Sequence, residues 1–323
     1  MKDQWAGVSK TAHFTAAVWH ELGVPGAVRF VTRQGKFLRW VVDWGGAFLG
    51  LRGKYSVVNL FLTPRHLGLN ILLRDRNPAL IVELAAGLSS RGLEWVQTHP
   101  GKYLEIDQSA LIAAKKRLLA SFLPEFSNYK LIAADLLKDD LKKILNSQLL
   151  DETLKTSATA KELGGETPPL QDNFVCQDSY SVPSPQSSVL IICEGMTGYL
   201  GEKAQRQLLG AIRELAANFQ DCTVLMDFYL RLDYKQHGRV YLAMLPARLL
   251  WWVLRAPMQM FLHDAQDIHT LLASESFEVV KLYSSQELAQ KAGRIPPPLN
   301  LFYLAEFHVN YKNLLNINNF LMS

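Results

Sequence analysis

Residues Ala79–Asp107 read ALIVELAAGLSSRGLEWVQTHPGKYLEID. The apolar run Ala79–Val82 has the composition of a buried strand and stops at Glu83. A turn of small residues follows, Leu84-Ala85-Ala86-Gly87, then a helical link and a second strand-like run, Lys102–Ile106, closed by Asp107. Strand, small-residue turn, helix and a second strand ending in an acid is the layout by which an open α/β sheet holds a nucleoside. Small residues let backbone N–H groups approach a ligand, and a carboxylate there accepts hydrogen bonds from both ribose hydroxyls.

Upstream, Val8–Leu22 has Phe14, Val18 and Leu22 on one helical face, with Gly23 as a stop. Arg29–Leu51, rich in Phe and Trp, extends a helical cap. A further helix runs to about Leu73, with Thr63 as N-cap and Pro64 at its first position. Downstream, Ser109–Leu123 predicts a helix whose Lys115, Lys116 and Arg117 form a solvated face. Strands are expected at Lys130–Ala134, Ser188–Cys193, Thr223–Phe228, Phe277–Leu282 and Leu301–Phe307. Helices are expected at Glu202–Asn218, Asp267–Ala273 and near Gln286–Ala292. The pattern predicts a Rossmann-like, doubly wound α/β fold: a seven-stranded, mostly parallel sheet ending in a strand pair, with a helical cap and lid. Residues 1–60 would form the cap and 61–323 the sheet domain. The domain would carry a partly mobile insertion at about 138–186, dense in Ser, Thr, Gly, Pro and Gln, and an aromatic lid at about 230–265.

A net charge of +4 over 323 residues is too small to imply nucleic-acid binding. The three cysteines, Cys176, Cys193 and Cys222, are scattered and odd in number, as in a reducing cytoplasm. The N-terminus lacks the basic-then-apolar layout of a signal peptide. The most apolar segment, Val240–Leu262, carries Arg248 and Arg255 and is broken by Pro246 and Pro257. It reads as a helical lid or an amphipathic surface element rather than a span, and leaves peripheral membrane contact open. No His, Cys or Asp cluster has the spacing of a metal site.

Glu83, Asp107, Asp135 and Glu194 are each expected just past a strand end, facing one crevice. The turn lacks GxGxxG, and no Walker-type GK[ST] occurs in the chain, so a phosphate cradle is poorly supported. An acid-lined, phosphate-poor nucleoside site suits a sulfonium nucleoside, S-adenosylmethionine. A nicotinamide dehydrogenase is the fallback, disfavoured by the missing glycines.

The same residues carry a family resemblance. Val82–Gly92 (VELAAGLSSRG) resembles the first motif of the leucine carboxyl methyltransferase family, closest to its bacterial branch, which includes polyketide O-methyltransferases. Tyr103–Asp107, followed by Lys115, resembles its second motif; Ala134-Asp135-Leu136 resembles its adenine-side motif; Cys193–Leu200 (CEGMTGYL) resembles the motif after the fourth strand. Ser9–Thr15 and Pro64-Arg65-His66 are similar to further family positions. Residues 138–186 and 240–262 lie outside the resemblance. It implies that Gly87 and its neighbours, Ala85 among them, lie against the methionine part of the cofactor, and that Asp107 holds the ribose. By the same resemblance Asp135 and the Leu136 amide meet the adenine, Glu194 the amino-acid or sulfonium side, and Arg65 the cofactor carboxylate, while Glu83 is placed in the cofactor crevice by its position at a strand end. Ala85 stands where a first glycine is usual, and Gln108-Ser109 follows the ribose acid where an apolar residue and proline are common.

Methyl transfer from a sulfonium is a direct displacement that depends on holding the nucleophile close and in line. A carboxylate acceptor is already ionised near neutral pH, whereas a phenol needs a base. His13 and His66 are the candidates, with helix packing as the alternative for each. Tyr199 is placed to hydrogen-bond the acceptor or to pack. Arg91 is either a substrate anchor or a helix-surface arginine, and Glu83 either a site acid or a helix cap. Trp251, Trp252 and Phe261 are either lid packing or the wall of an apolar acceptor pocket. The sequence therefore predicts a cytoplasmic, S-adenosylmethionine-dependent O-methyltransferase acting on a carboxylate or hydroxyl of a small, apolar or aromatic molecule. Two alternatives stand beside it: a protein C-terminal carboxyl methyltransferase, and a non-catalytic binding protein on the same fold.

Overall fold

The structure, a computed structural model, describes residues 2–48, 56, 58–120, 126–148, 188–231, 238, 240, 251–252, 255–256 and 258–310. Seven strands form one sheet: β1 Leu80–Leu84, β2 Lys102–Asp107, β3 Tyr129–Ala133, β4 Val189–Cys193, β5 Cys222–Tyr229, β6 Phe277–Ser284 and β7 Phe302–Val309. Their order is β3-β2-β1-β4-β5-β7-β6. All pairs are parallel except those that β7 makes with β5 and β6. This is the expected Rossmann-like sheet with its terminal antiparallel pair.

β1 and β4 are buried at every position, as central parallel strands covered on both faces must be. The chain winds from β1 out to β3 on one side, then returns through β4 and β5 on the other. The crevice between the carboxyl ends of β1 and β4 is thus the topological switch point, where open α/β sheets bind ligands. Alternate residues divide the sheet into two layers. Leu80, Val82, Leu84, Leu104, Ile106 and Ile191 join one apolar core. Ile81, Tyr103, Leu190, Ile192 and Leu225 join the other.

The helices are α1 Lys2–Glu21, α2 Arg33–Phe48, α3 Thr63–Arg74, α4 Arg91–Thr98, α5 Ser109–Leu118, α6 Glu202–Ala216, α7 Ala265–Ser274 and α8 Ser285–Lys291. A 3-10 turn, Ala27–Phe30, joins α1 to α2, and a single π turn, Val58–Leu62, runs into α3. That π turn corrects the expected start of α3. Leu62 is the N-cap, Thr63 lies inside the helix, and its hydroxyl turns back to Asn59 instead of capping. Phe14, Val18, Leu38 and Val42 pack α1 against α2 in a third cluster that also holds Tyr199.

Lys115, expected on a solvated face, is fully buried and ion-paired with Glu105. The cause is tertiary: α5 lies along β2 and β3, and its Lys115 is the cation within reach of the Glu105 carboxylate, which also accepts from the Tyr129 hydroxyl at 2.7 Å. Cys193 and Cys222 are buried free thiols; Cys176 lies outside the described residues, as do residues 149–186 of the expected insertion and most of 240–262. Among the described residues no helix is long and apolar enough to cross a membrane.

Gly92 marks the tightest contact between α4 and the sheet. A Cβ there would lie 2.8 Å from Tyr129 Cε2 and 2.9 Å from Tyr103 Cδ1. Gly92→Ala should lower unfolding free energy by about 1–3 kcal/mol in denaturant titration, the usual cost of an overfilled core.

Candidate functional site

The loop after β1 is held in a set shape by its neighbours. Ala85 N–H donates to Ile106 O at 2.8 Å. The Asp107 carboxylate accepts from Gly87 N at 2.7 Å and from Gln108 N at 2.6 Å. Lys115 Nζ donates to Ser89 O at 2.6 Å, and Ser90 Oγ donates to Pro25 O at 2.7 Å. Gly87 has φ 56°, which glycine adopts readily. Ala85 has φ 55°, the same left-handed region, where an alanine is strained. The departure noted in the sequence is therefore real: a glycine would fit Ala85's backbone better.

Above this loop is a cavity of about 130 Å³. Glu83, Ala85, Gly87, Asp107, Asp135, Leu136 and Glu194 all line it, as do Arg65, His66 and Tyr199. Helix α1 contributes Ser9, Thr11, Ala12 and Thr15, and Ala12 Cβ would meet a Cβ on Gly87 at 3.3 Å, so α1 closes directly over the loop. Asp135 marks the outer end: its carboxylate accepts from Leu137 N at 3.1 Å and pairs with Lys138 near solvent.

A second cavity adjoins the first, sharing Thr11, Thr15, Leu62, Arg65, Gly195 and Tyr199 with it. Its other walls are mainly apolar: Phe14, Val42, Phe61, Trp251 and Met258, with Tyr229. Of the three lid aromatics named from sequence, Trp251 lines it, Trp252 is exposed and Phe261 packs against the sheet core. Tyr199 stands at the junction, and burial raises its phenol above the ordinary range, so it keeps its proton and can donate a hydrogen bond.

Beneath the cavities lies a network of buried charges. Glu194 accepts from Arg65 Nε at 2.9 Å and is ion-paired with Arg91. Arg91 also pairs with Glu83, which accepts from Tyr103 Oη at 2.6 Å. Arg65 donates to the Tyr229 hydroxyl and lies 3.8 Å from Asp227, whose carboxylate accepts from Gly195 N at 2.9 and 3.0 Å. Burial works against ionisation of Glu194, but His66, Arg91 and Arg65 beside it hold its carboxyl well below the usual range. Burial shifts His66 itself downward, against the pull of Glu194. Arg91 Nη2 lies 2.9 Å from His66 Nδ1. The same nitrogen lies 3.1 and 3.3 Å from the Glu194 oxygens, so Nδ1 is enclosed between a guanidinium that donates and a carboxylate that accepts. Nε2 is buried without a hydrogen-bond partner, and Trp19 stacks on the ring at 4.0 Å.

Several sequence expectations change. Glu83 is not past the strand end but inside β1, fully buried, where the Arg91 and Tyr103 hydrogen bonds make its burial tolerable. Arg91 is not a helix-surface residue: it is the cation between two carboxylates. Arg65 reaches the cavity already matched to Glu194. His13 lines neither cavity. Its Nδ1 contacts Thr32 Oγ1 at 3.0 Å, next to the start of α2, which makes it a packing residue between α1 and α2. Sequence reasoning missed Glu105 and Asp227. Both lay in strands with a readable signal, a lone acid in step with the core-facing positions.

The residues 73–163 match the sequence model of the leucine carboxyl methyltransferase family. No curated protein matches the chain. Among solved structures, a mitomycin 7-O-methyltransferase is 11% identical, with 77% of this chain and 54% of that one covered and a TM-score of 0.44. A pyocyanin biosynthetic protein is 14% identical, covering 92% and 68%, at 0.44. A magnesium protoporphyrin IX methyltransferase from Synechocystis PCC 6803, with bound S-adenosylhomocysteine, is 11% identical, covering 84% and 81%, at 0.38. The chain thus spans little more than half the length of the first of these.

Two outcomes follow from the charge network. Arg91→Leu should cost about 3–5 kcal/mol in denaturant unfolding, because it strands Glu83 and Glu194 as buried unpaired carboxylates, and Arg91→Lys should cost less. Burial pushes the Asp227 carboxyl up to about 7 from 3.8, against the pull of Arg65. A carboxyl raised on folding binds its proton more tightly in the native state, so its contribution is present at low pH and is lost as pH rises through the folded value. Asp227→Asn lacks this titration and keeps the acceptor for Gly195. Its stability relative to the parent should therefore rise from about pH 4 to about pH 7 and then level off, read from unfolding midpoints across pH.

The sheet is thus the Rossmann-like one expected from sequence, and residues 73–163, which hold β1 to β3 and the loop after β1, are similar in sequence to the leucine carboxyl methyltransferase family.

Proposed function

We propose that the protein moves a methyl group from S-adenosylmethionine to an oxygen of a small apolar molecule. The observation that carries this reading is the pair of adjoining cavities. One is built on Gly87, Asp107 and Glu194, and the other is mainly apolar, with Arg65 and Tyr199 at their shared boundary. A donor in the first and an acceptor in the second would meet at that boundary. In this reading Asp107 receives the ribose hydroxyls on carboxylate lone pairs left over from the Gly87 and Gln108 amides. Asp135 and the Leu136 amide face the adenine. The loop around Ala85 and Gly87 lies along the methionine part. Glu194 faces the amino-acid and sulfonium end.

The cofactor supplies an activated methyl group: its carbon–sulfur bond breaks with the electron pair going to sulfur, and a carbon–oxygen bond forms. The chain's own task is to position the acceptor oxygen, with Tyr199 donating to it and Arg65 balancing its charge. Among the described residues lining the two cavities, His66 is the imidazole; its Nδ1 is enclosed by Arg91 and Glu194, and its Nε2 is buried beneath Trp19. This favours an acceptor that arrives ionised, a carboxylate, over a hydroxyl that must lose a proton at the site. It also argues against His66 as the base expected from sequence, and His13 stands too far aside for that role.

Titration calorimetry with S-adenosylmethionine tests the donor half. Binding should be measurable, and Asp107→Ala should weaken it by about 10–100-fold, the loss of hydrogen bonds to a charged group. A folded parent protein that takes up no heat-detectable cofactor would overturn the reading.

A further inference from the structure

Helix α2, Arg33–Phe48, has two unlike faces. Leu38 and Val42 point inward and are buried with α1, and Val42 also lines the apolar cavity. The opposite face carries Phe37, Trp40, Trp44 and Phe48, spaced three, four and four residues apart as one helical stripe. These are among the most exposed large apolar side chains in the described structure, at 61, 58, 66 and 83%. Phe37, Trp40 and Trp44 stack on one another, with ring centroids 6.2 and 6.3 Å apart. An aromatic stripe of this kind turned to water marks a contact surface.

The charges around it indicate the partner. Arg33 and Lys36 are exposed on the same helix. The carboxylates of Glu21 and Asp43 are both engaged by Arg39, so they do not offset Arg33 and Lys36. Tryptophan and phenylalanine beside arginine and lysine is the composition that settles at the headgroup level of a bilayer and favours anionic lipid. We propose that α2 docks the protein on an anionic lipid surface. Phe37, Trp40, Trp44 and Phe48 enter the boundary between headgroups and acyl chains, while Arg33 and Lys36 meet the negative headgroups. Because the same helix walls the apolar cavity, docking would place that cavity beside the bilayer, a source of apolar acceptors. That last consequence rests on the proposed methyl transfer; the docking itself does not.

The test is co-sedimentation of the full chain with vesicles of phosphatidylcholine alone and of phosphatidylcholine mixed with phosphatidylglycerol. The parent protein should sediment with the mixed vesicles, less so as salt rises, and its tryptophan emission should shift to the blue. Phe37→Ser/Trp40→Ser/Trp44→Ser should weaken binding by at least about tenfold, and Arg33→Glu/Lys36→Glu should remove the preference for the anionic mixture. All these side chains are exposed, and thermal unfolding checks that each variant remains folded. Equal sedimentation of parent and aromatic variant would overturn the proposal, and so would failure of the parent to bind mixed vesicles. Two other results would also overturn it. A concentration-dependent dimer abolished by the aromatic substitutions would give the stripe to a second copy. Tryptophans shielded from a soluble quencher in the lipid-free monomer would give it to the chain itself. Calorimetric cofactor binding separates the two ideas, since loss of vesicle binding with cofactor binding intact bears on docking alone.

Discussion

Five carboxylates on one face of a buried sheet set the terms for the rest of the molecule. Glu83 and Glu105 are register partners on adjacent strands, and Asp107 follows two residues on from Glu105. Ile192 pairs with both Glu83 and Leu225, which puts Glu194 and Asp227, each two residues further along, on that same face. Charges in such a place are tolerated only with partners. Arg91 and Tyr103 serve Glu83; Lys115 and Tyr129 serve Glu105; Arg91 and Arg65 serve Glu194; backbone amides serve Asp107 and Asp227. Arg91, the first residue of α4, ties that helix to two acids, and α5 is bound to the sheet through Lys115. On the opposite face, β1, β4 and β5 turn mainly hydrocarbon to the core.

How much of this was readable from sequence divides along physical lines. The strands were legible because their apolar runs are continuous and bounded, and all seven were found within a few residues. The acids lining the cavity were legible because they follow apolar runs directly. What stayed hidden was the destination of long side chains. Lys115 and Arg91 sit in helical stretches with polar neighbours, and local pattern gives a solvated face. Their burial comes from acids ten and eight residues away that reach them only across the packed sheet and helices. Glu83 was misplaced by one element for the same reason: an acid normally ends a strand, and here a distant arginine lets it stay inside. His13 fell on a motif-like segment whose neighbours Thr11, Ala12 and Thr15 line the cavity while its own ring turns to Thr32.

The N-terminal helices join the sheet site to whatever the protein meets outside. Helix α1 closes over the loop after β1, and its Phe14 and Val18 bind it to α2. Tyr199 packs in that same cluster while standing at the junction of the two cavities. The apolar cavity is therefore built largely from residues outside the sheet, which is where molecules sharing this sheet can differ most.

The bond from Gly87 N–H to Asp107 is internal to the fold. The glycine loop is thus ordered by the fold's own hydrogen bonds, at the expense of folding stability rather than of affinity. A ligand at this loop would meet a backbone whose chain entropy is already spent, so its binding heat would reflect contact and desolvation with little contribution from loop ordering. The strained backbone of Ala85 belongs to the same arrangement, a conformational cost carried by the fold itself.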